Sequence, residues 1–317
     1  MRILSLAAAL LLALAATARA EYPERPIRLI VPFPAGGVTD VVARLIAERL
    51  TADLGQQVVV DNKAGAGGVI GTEIVAKAPA DGYTLLLTTP NHTINGALRA
   101  ALPYDTEKDL TPISIVGQVP MLLVSHPTLP VTDFPSFVDY ARKNPGKINF
   151  SHAGNGTLPH VTMELLMARE RMQVTSVPYR GAAPALADLV AGQVQAKLDT
   201  YTTSSQFVAD GRLKALGVTS LKRLKQLPDV ATVSETVPGF EGYLWMGIVA
   251  PAATPQPILD KLAATARCAF ARADVQARFD KDGVEPVGGT PADFKALVAR
   301  EIVQWRELAK QSNIKVE

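Results

Sequence analysis

Apolar and polar positions along this chain switch repeatedly between the period of a strand and the period of a helix. Residues 27–31 alternate as a strand, and 39–54 follow with helical spacing. Residues 58–60 read as a second strand, and a helix reaching residue 78 opens at Gly65-Ala-Gly-Gly68. Residues 83–89 form a near-continuous apolar run, the pattern of a parallel strand covered on both faces. Residues 110–124 carry more strand material, which Gly117 and Pro120 are expected to interrupt. Beyond them, strands at 148–151, 174–177, 194–198 and 213–219 are interleaved with a helix ending near Asn144 and helices at 158–170 and 182–191. Residues 227–242, rich in Pro and Gly, read as a connection, 244–250 as a late strand, and 256–273 and 291–313 as closing helices. This alternation predicts an α/β fold. A strand, a glycine loop and a helix recur near residues 31 and 151, which suggests two lobes of similar build. We expect lobe 1 to comprise 21–123 and 225–317 and lobe 2 to comprise 124–224, with two crossings, a hinge and a ligand cleft between the lobes.

The loops at strand ends hold the candidate chemistry. Phe33-Pro-Ala-Gly-Gly-Val-Thr39 leads from the first strand into the first helix. Glycine allows close backbone approach, and a helix N-terminus offers unpaired N–H groups and partial positive charge, so the loop suits a small anion. The plainer reading is a tight turn. Ser151-His-Ala-Gly-Asn-Gly-Thr157 repeats the arrangement, with Thr157 placed to cap the next helix. Val177-Pro-Tyr-Arg-Gly181 is a third strand-to-helix turn. Tyr179 can line a pocket; Arg180 can pair with a carboxylate bidentately, although an exposed arginine reads more simply as a solvated surface group. Asp199 ends a strand, where ligands of open α/β sheets gather, and Thr200, Thr202 and Thr203 add hydroxyls. Thr88-Thr-Pro-Asn-His92 supplies further polar groups.

Other chemistries find little support. None of the four histidines shows HExxH or CxxC spacing, so no metal is expected. The Gly65 cluster lacks the Gly-Lys-[Ser/Thr] ending of a P-loop, and no Gly-x-Ser-x-Gly elbow occurs. We therefore expect no cofactor and no catalysis. Among the first twenty residues, Arg2, the apolar run 3–16 and Ala18-Arg19-Ala20 have the form of a cleaved export signal. A mature chain starting at Glu21 belongs in the periplasm. Without Arg2 and Arg19 the 32 basic residues fall to 30, equal to the 30 acidic ones, so no nucleic-acid surface is implied. The single cysteine, Cys268, excludes an internal disulfide, and its helical surroundings suggest a buried structural role.

Six motifs occur in order: Pro32-Phe-Pro-Ala-Gly-Gly-Val-Thr-Asp40, Asp61-Asn-Lys-Ala-Gly-Ala-Gly-Gly68, Asp81-Gly-Tyr-Thr-Leu85, Ala153-Gly-Asn-Gly-Thr157, Val177-Pro-Tyr-Arg-Gly181 and Leu227-Pro-Asp-Val230. Together they resemble the solute receptors of tripartite tricarboxylate transporters, the Bug proteins, across essentially the whole mature chain. The resemblance implies a two-lobed periplasmic binding fold of type II. It also implies capture of a small carboxylate by backbone amides, hydroxyls and water, with delivery to membrane permease subunits. It points to Phe33, Ala35, Gly36, Thr39, Ala153, Gly154, Gly156, Thr157 and Asp199, and Thr89, Asn91, His92, His152 and Tyr179, beside these loops, complete the expected ligand-binding set. His152 and Val38 depart from the family pattern beside the expected ligand. Rival readings are a receptor feeding a sensor kinase and a secreted α/β hydrolase. A monomer is expected.

Overall fold

A computed structural model of the protein describes residues 22–312. The expected export signal and its cleavage site lie outside these residues. Nine strands form one sheet in the order β2-β1-β3-β9-β4-β7-β5-β6, with β8 also beside β4. They are β1 Ile27–Val31, β2 Val58–Asn62, β3 Thr84–Thr88, β4 Leu110–Ser125, β5 Asn149–His152, β6 Thr175–Pro178, β7 Ala196–Thr200, β8 Lys214–Val218 and β9 Tyr243–Pro251. The described helices are α1 Val38–Leu54, α2 Val69–Ala76, α3 Asn91–Leu98, α4 Phe134–Lys143, α5 Leu158–Glu170, α6 Ala182–Val190, α7 Tyr201–Ala209, α8 Gln256–Ala271, α9 Ala273–Asp282 and α10 Pro291–Ser312.

Side-chain alternation explains why each half of the sheet is covered on both faces. Leu29, Leu85 and Leu87 enter one apolar cluster with α1 and α8, while Ile30 and Leu86 enter another with Phe294, Val298 and Ile302 of α10. In the other half, Leu123, Phe150 and Leu198 pack with α4 and α5, and Leu122 and Val124 pack with Leu186 and Leu189 of α6. All of these side chains are buried. The two-lobed α/β fold is thus built from two doubly covered half-sheets.

Strand β4 belongs to both halves. Leu110–Pro120 pairs antiparallel with β9, and Met121–Ser125 pairs with β7 and β8. Proline and glycine were expected to break this strand; instead the register shifts between Pro112 and Ser114 and between Ile115 and Gly117. One shift lies at Pro112 and the other at Gly117, while Pro120 stays in register with Tyr243, and the strand continues. The return crossing lies between β8 and β9 and is fastened by Thr219. Its amide donates to Met121 O at 2.9 Å, its Oγ1 accepts from Met121 N at 2.8 Å, and Gly242 N donates to its carbonyl at 3.0 Å.

Three helices escaped the sequence pattern. Both α3 and α7 follow a strand end directly and begin with polar residues, Asn91-His-Thr and Tyr201-Thr-Thr-Ser-Ser. Such residues favour caps and turns over helix interiors, so tertiary packing overrides weak propensity here. The third, α9, is separated from α8 only by Arg272. Cys268 is exposed, which corrects the expected burial. The face of α8 that packs inward is Leu262, Ala266, Ala269 and Phe270, and Cys268 lies off that stripe.

Candidate functional site

Four helices begin at one small cavity between the half-sheets. Its walls include Gly37, Val38 and Thr39 at the start of α1, Thr157 before α5, Ala182 at the start of α6 and Thr200 before α7. The N-caps of these helices, Gly37, Thr157, Gly181 and Thr200, make no side-chain cap hydrogen bond. Each helix start carries about half a positive charge on unpaired amides, so four of them create a site for negative charge. The cavity measures about 50 Å³. That is room for roughly three or four waters or one small carboxylate group.

The α1 loop is held rigidly from below. Asp40 is buried and accepts from Gly36 N at 3.0 Å, Arg44 Nη2 at 3.0 Å and Asn62 Nδ2 at 3.0 Å. Burial opposes the Asp40 charge, but these donors outweigh it and hold the carboxyl below the usual carboxylate range. Asn62 also donates to Phe33 O at 3.0 Å. The Asp40–Asn62–Arg44 brace explains why two motifs distant in sequence act on one loop.

The facing loop, 153–157, is already occupied by its own lobe. Gly156 N donates to His160 Nδ1 at 3.2 Å, Gly154 N to His152 Nδ1 at 3.3 Å, and Thr157 N to Gly154 O at 3.2 Å. The N–H of Leu158, first in α5, is met from across the cleft by Asn91 Oδ1 at 3.1 Å. The halves touch elsewhere as well. A Cβ on Gly181 would stand 2.5 Å from Pro34 Cγ, and φ there is +150°, so only glycine fits this approach. The structure is therefore closed.

Asp199 and Lys197 form the cavity floor from β7. Their side chains share a face of the strand, two residues apart, and the Lys197 ammonium lies 2.8 Å from Asp199 Oδ1. Both are almost fully buried, at 1% and 5% exposure. Thr203 and Ser204 hydroxyls donate to Asp199 at 2.9 and 2.7 Å. The carboxylate expected to meet a ligand amine or hydroxyl is thus engaged by its own lobe. Lys197 is the feature that sequence reasoning missed. Its signal was the i, i+2 spacing to Asp199 on a strand.

Of the expected set, Phe33, Thr39, Thr89, Asn91, Ala153, Thr157 and Asp199 line the cavity. Gly154 and Tyr179 line an outer vestibule of about 730 Å³, which also includes Phe33, Pro34 and Ala153. Tyr179 hydroxyl donates to Asp188 at 2.6 Å. Ala35, Gly36, His92, His152 and Gly156 line neither space. His92, in the first turn of α3, is buried, and burial lowers its pKa to about 4. His152 is likewise lowered to about 4, by burial and then by the neighbouring His160. His152 Nε2 lies 2.7 Å from Ser176 Oγ, and its ring centroid lies 4.7 Å from that of His160. A larger cavity, about 910 Å³, lies between α10 and β9 and is lined by charges of both signs, among them Arg169, Arg300, Glu241 and Glu307.

Two half-sheets sharing a long strand, closed over a cavity ringed by helix N-termini, define the binding-protein class of α/β folds. The sequence profile of the tripartite tricarboxylate transporter family receptors matches residues 42–314, and the chain belongs to that family. Its members are periplasmic solute-binding receptors, not enzymes. BugT of Bordetella pertussis strain Tohama I is 36% identical over 299 residues, covering 93% of this chain and 92% of BugT. The structure of R. palustris Rpa4515 with adipate superposes with a TM-score of 0.90 at 36% identity, covering 93% of this chain and 99% of that one. MatC from Rhodopseudomonas palustris with bound malate gives a TM-score of 0.85 at 34% identity, covering 90% and 99%. Among the described residues no helix is long and apolar enough to cross a membrane.

Proposed function

We propose that this receptor captures a small carboxylate in the closed cavity and delivers it to the membrane subunits of a tripartite tricarboxylate-type transporter. The observation that carries this reading is the convergence on one buried space of four helix N-termini whose own N-cap residues make no side-chain cap. The amides of Val38 and Thr39, in the first turn of α1, are the donors best placed for the carboxylate. The Lys197–Asp199 pair in the floor is balanced in charge, so the positive potential comes from the helix starts. Adipate and malate in the Rpa4515 and MatC structures support the carboxylate class. Delivery to a permease and action as a monomer are part of the proposal, as is export with cleavage before Glu21.

The lobe boundaries at 123/124 and 224/225 complete the proposal. The change of partners within β4, from β9 to β7 and β8, falls between Pro120 and Met121, close to the first. The ligand bridges groups that come together only on closure, so binding shifts the receptor towards its closed state. Native mass spectrometry of purified protein, followed by calorimetry with carboxylates, tests the reading. A retained, stoichiometric, unmodified carboxylate is expected. Retention of a neutral or cationic solute, or turnover of excess ligand, defeats it.

A further inference from the structure

We propose that Lys197 selects the ligand: its ammonium donates to a carbonyl oxygen on the carbon next to the bound carboxylate, and the ligand class is a 2-oxo carboxylate. This rests on the carboxylate reading above.

Three observations carry the inference. The first is an unmet donor. Lys197 is 1% exposed and lines the cavity. Its ammonium has three N–H donors but two acceptors in the chain, Asp199 Oδ1 at 2.8 Å and Leu198 O at 3.3 Å. Among the described residues no other acceptor lies within hydrogen-bond reach, so the third donor falls to whatever occupies the cavity. Water can serve it before a ligand enters. A ligand that displaces this water without bringing an acceptor leaves a buried charged donor unmet, and that penalty is what discriminates. The second is the state of Asp199, whose carboxylate already accepts from Lys197, Thr203 and Ser204. The pair is balanced in charge, so the floor calls for a neutral acceptor and not for a further anion. A carbonyl oxygen brings no proton of its own to place beside the engaged carboxylate, and it fits better there than a hydroxyl. The third is proximity. Asp199 is followed by Thr200, the N-cap of α7, one of the helix starts around the cavity. With about 50 Å³ available, the oxygen that meets Lys197 and the carboxylate at the helix starts belong to one headgroup. A carbonyl on the adjacent carbon meets that condition.

The test is calorimetry of the mature protein with two matched series: pyruvate, lactate and propionate, and 2-oxoglutarate, 2-hydroxyglutarate and glutarate. In the series that fits, wild type should bind the 2-oxo acid about 10- to 100-fold tighter than the unsubstituted acid, the range for a hydrogen bond to a charged group, with the 2-hydroxy acid between them. Lys197→Met alone strands the buried Asp199, so the preference is read in Lys197→Met combined with Asp199→Leu, where the 2-oxo and unsubstituted acids should bind alike. A second readout needs no variant. The carbonyl stretch of the bound 2-oxo acid, isolated by isotope labelling at the carbonyl carbon, should lie at lower frequency than in water, as donation from an ammonium requires. Equal affinity for the three acids, tighter binding of the unsubstituted or 2-hydroxy acid, an unchanged preference in the folded double variant or an unshifted carbonyl stretch overturns the role of Lys197 while leaving carboxylate capture intact. Failure of wild type to bind any of the acids overturns both.

Discussion

Replacing Asn91 with alanine is expected to weaken ligand binding far more than it weakens the fold. Asn91 is 4% exposed and stands at the start of α3. Its Oδ1 caps the Leu158 amide across the cleft at 3.1 Å, and its Nδ2 donates to Gly67 O at 3.2 Å. The second bond is duplicated, because Asn95 Nδ2 also donates to Gly67 O, at 3.1 Å. Losing it leaves no orphaned acceptor, and overall stability should change by less than about 1 kcal/mol. The first bond exists only when the halves meet. In the open form water serves the Leu158 amide, so the penalty of about 1–2 kcal/mol for an unmet buried donor falls on the closed form alone. The ligand binds the closed form, so its apparent affinity should fall roughly 5- to 30-fold. Calorimetry with a carboxylate that binds wild type measures the affinity, and small-angle scattering measures closure with and without ligand. Unchanged affinity together with an unchanged radius of gyration would refute the idea that this cap holds the cleft shut.

Asp199→Ala leaves the Lys197 ammonium buried without its partner and should cost about 3–5 kcal/mol in denaturant melts, whereas Lys197→Met with Asp199→Leu should recover most of it. Wild-type stability of the single variant would return Asp199 to a role at the ligand. His92 and His152 are held to about 4 by burial, below the unfolded value near 6.5. The unfolded chain therefore binds more protons between these values. Stability should be complete above about pH 6.5 and decline as pH falls towards 4, by at most about 3 kcal/mol for each histidine. Urea melts across that window on wild type, His92→Asn and His152→Asn should show a flatter pH slope in each variant; identical slopes would contradict the assignment. Thr219→Val deprives Met121 N and Gly242 of their hydroxyl partner at the crossing, and should lower stability by about 1–3 kcal/mol while altering closure in scattering. A melt and scattering curve matching wild type would mean that strand pairing alone fixes the hinge.

The α/β alternation was legible because buried strands such as Thr84–Thr88 and helices such as Val38–Leu54 carry their period in the sequence. The helix starts after Gly37, Thr157 and Gly181 were legible too, whereas that of α7 after Thr200 was not. The unread features share one property: each depends on a partner distant in the chain. Asn91 and Leu158 are 67 residues apart, and Thr93 and Glu301 are 208 apart. No local pattern announces that a polar helix such as α3 will be stabilised by α10, or that an amide in one half will be capped from the other. Lys197 is a partial exception. A lysine in an apolar strand asks for a buried partner, and Asp199 two residues on supplies it.

The same long-range contacts explain how closure can be held yet reversed. Glu301 on α10 accepts from Trp245 Nε1 of β9 at 2.8 Å and from Thr93 of α3 at 2.7 Å. The helix bearing Asn91 is thereby fixed to the half-sheet that contains β1, β3 and β9. Across the cleft the polar contacts include the Asn91 cap, the long Arg99 approach to Asn155 and the Thr202 hydroxyl, which donates to Asp282 O at 2.7 Å. Each is worth about 1 kcal/mol net, since opening returns its groups to water. Apolar contact adds to them, because Ile94 of α3 and Ala309 of α10 share a cluster with Val161 and Leu165 of α5. A carboxylate bridging α1 and the facing helix starts adds to this closure, and its release removes that share. A receptor that must release what it captures requires halves that stay rigid while the contacts between them are made and broken.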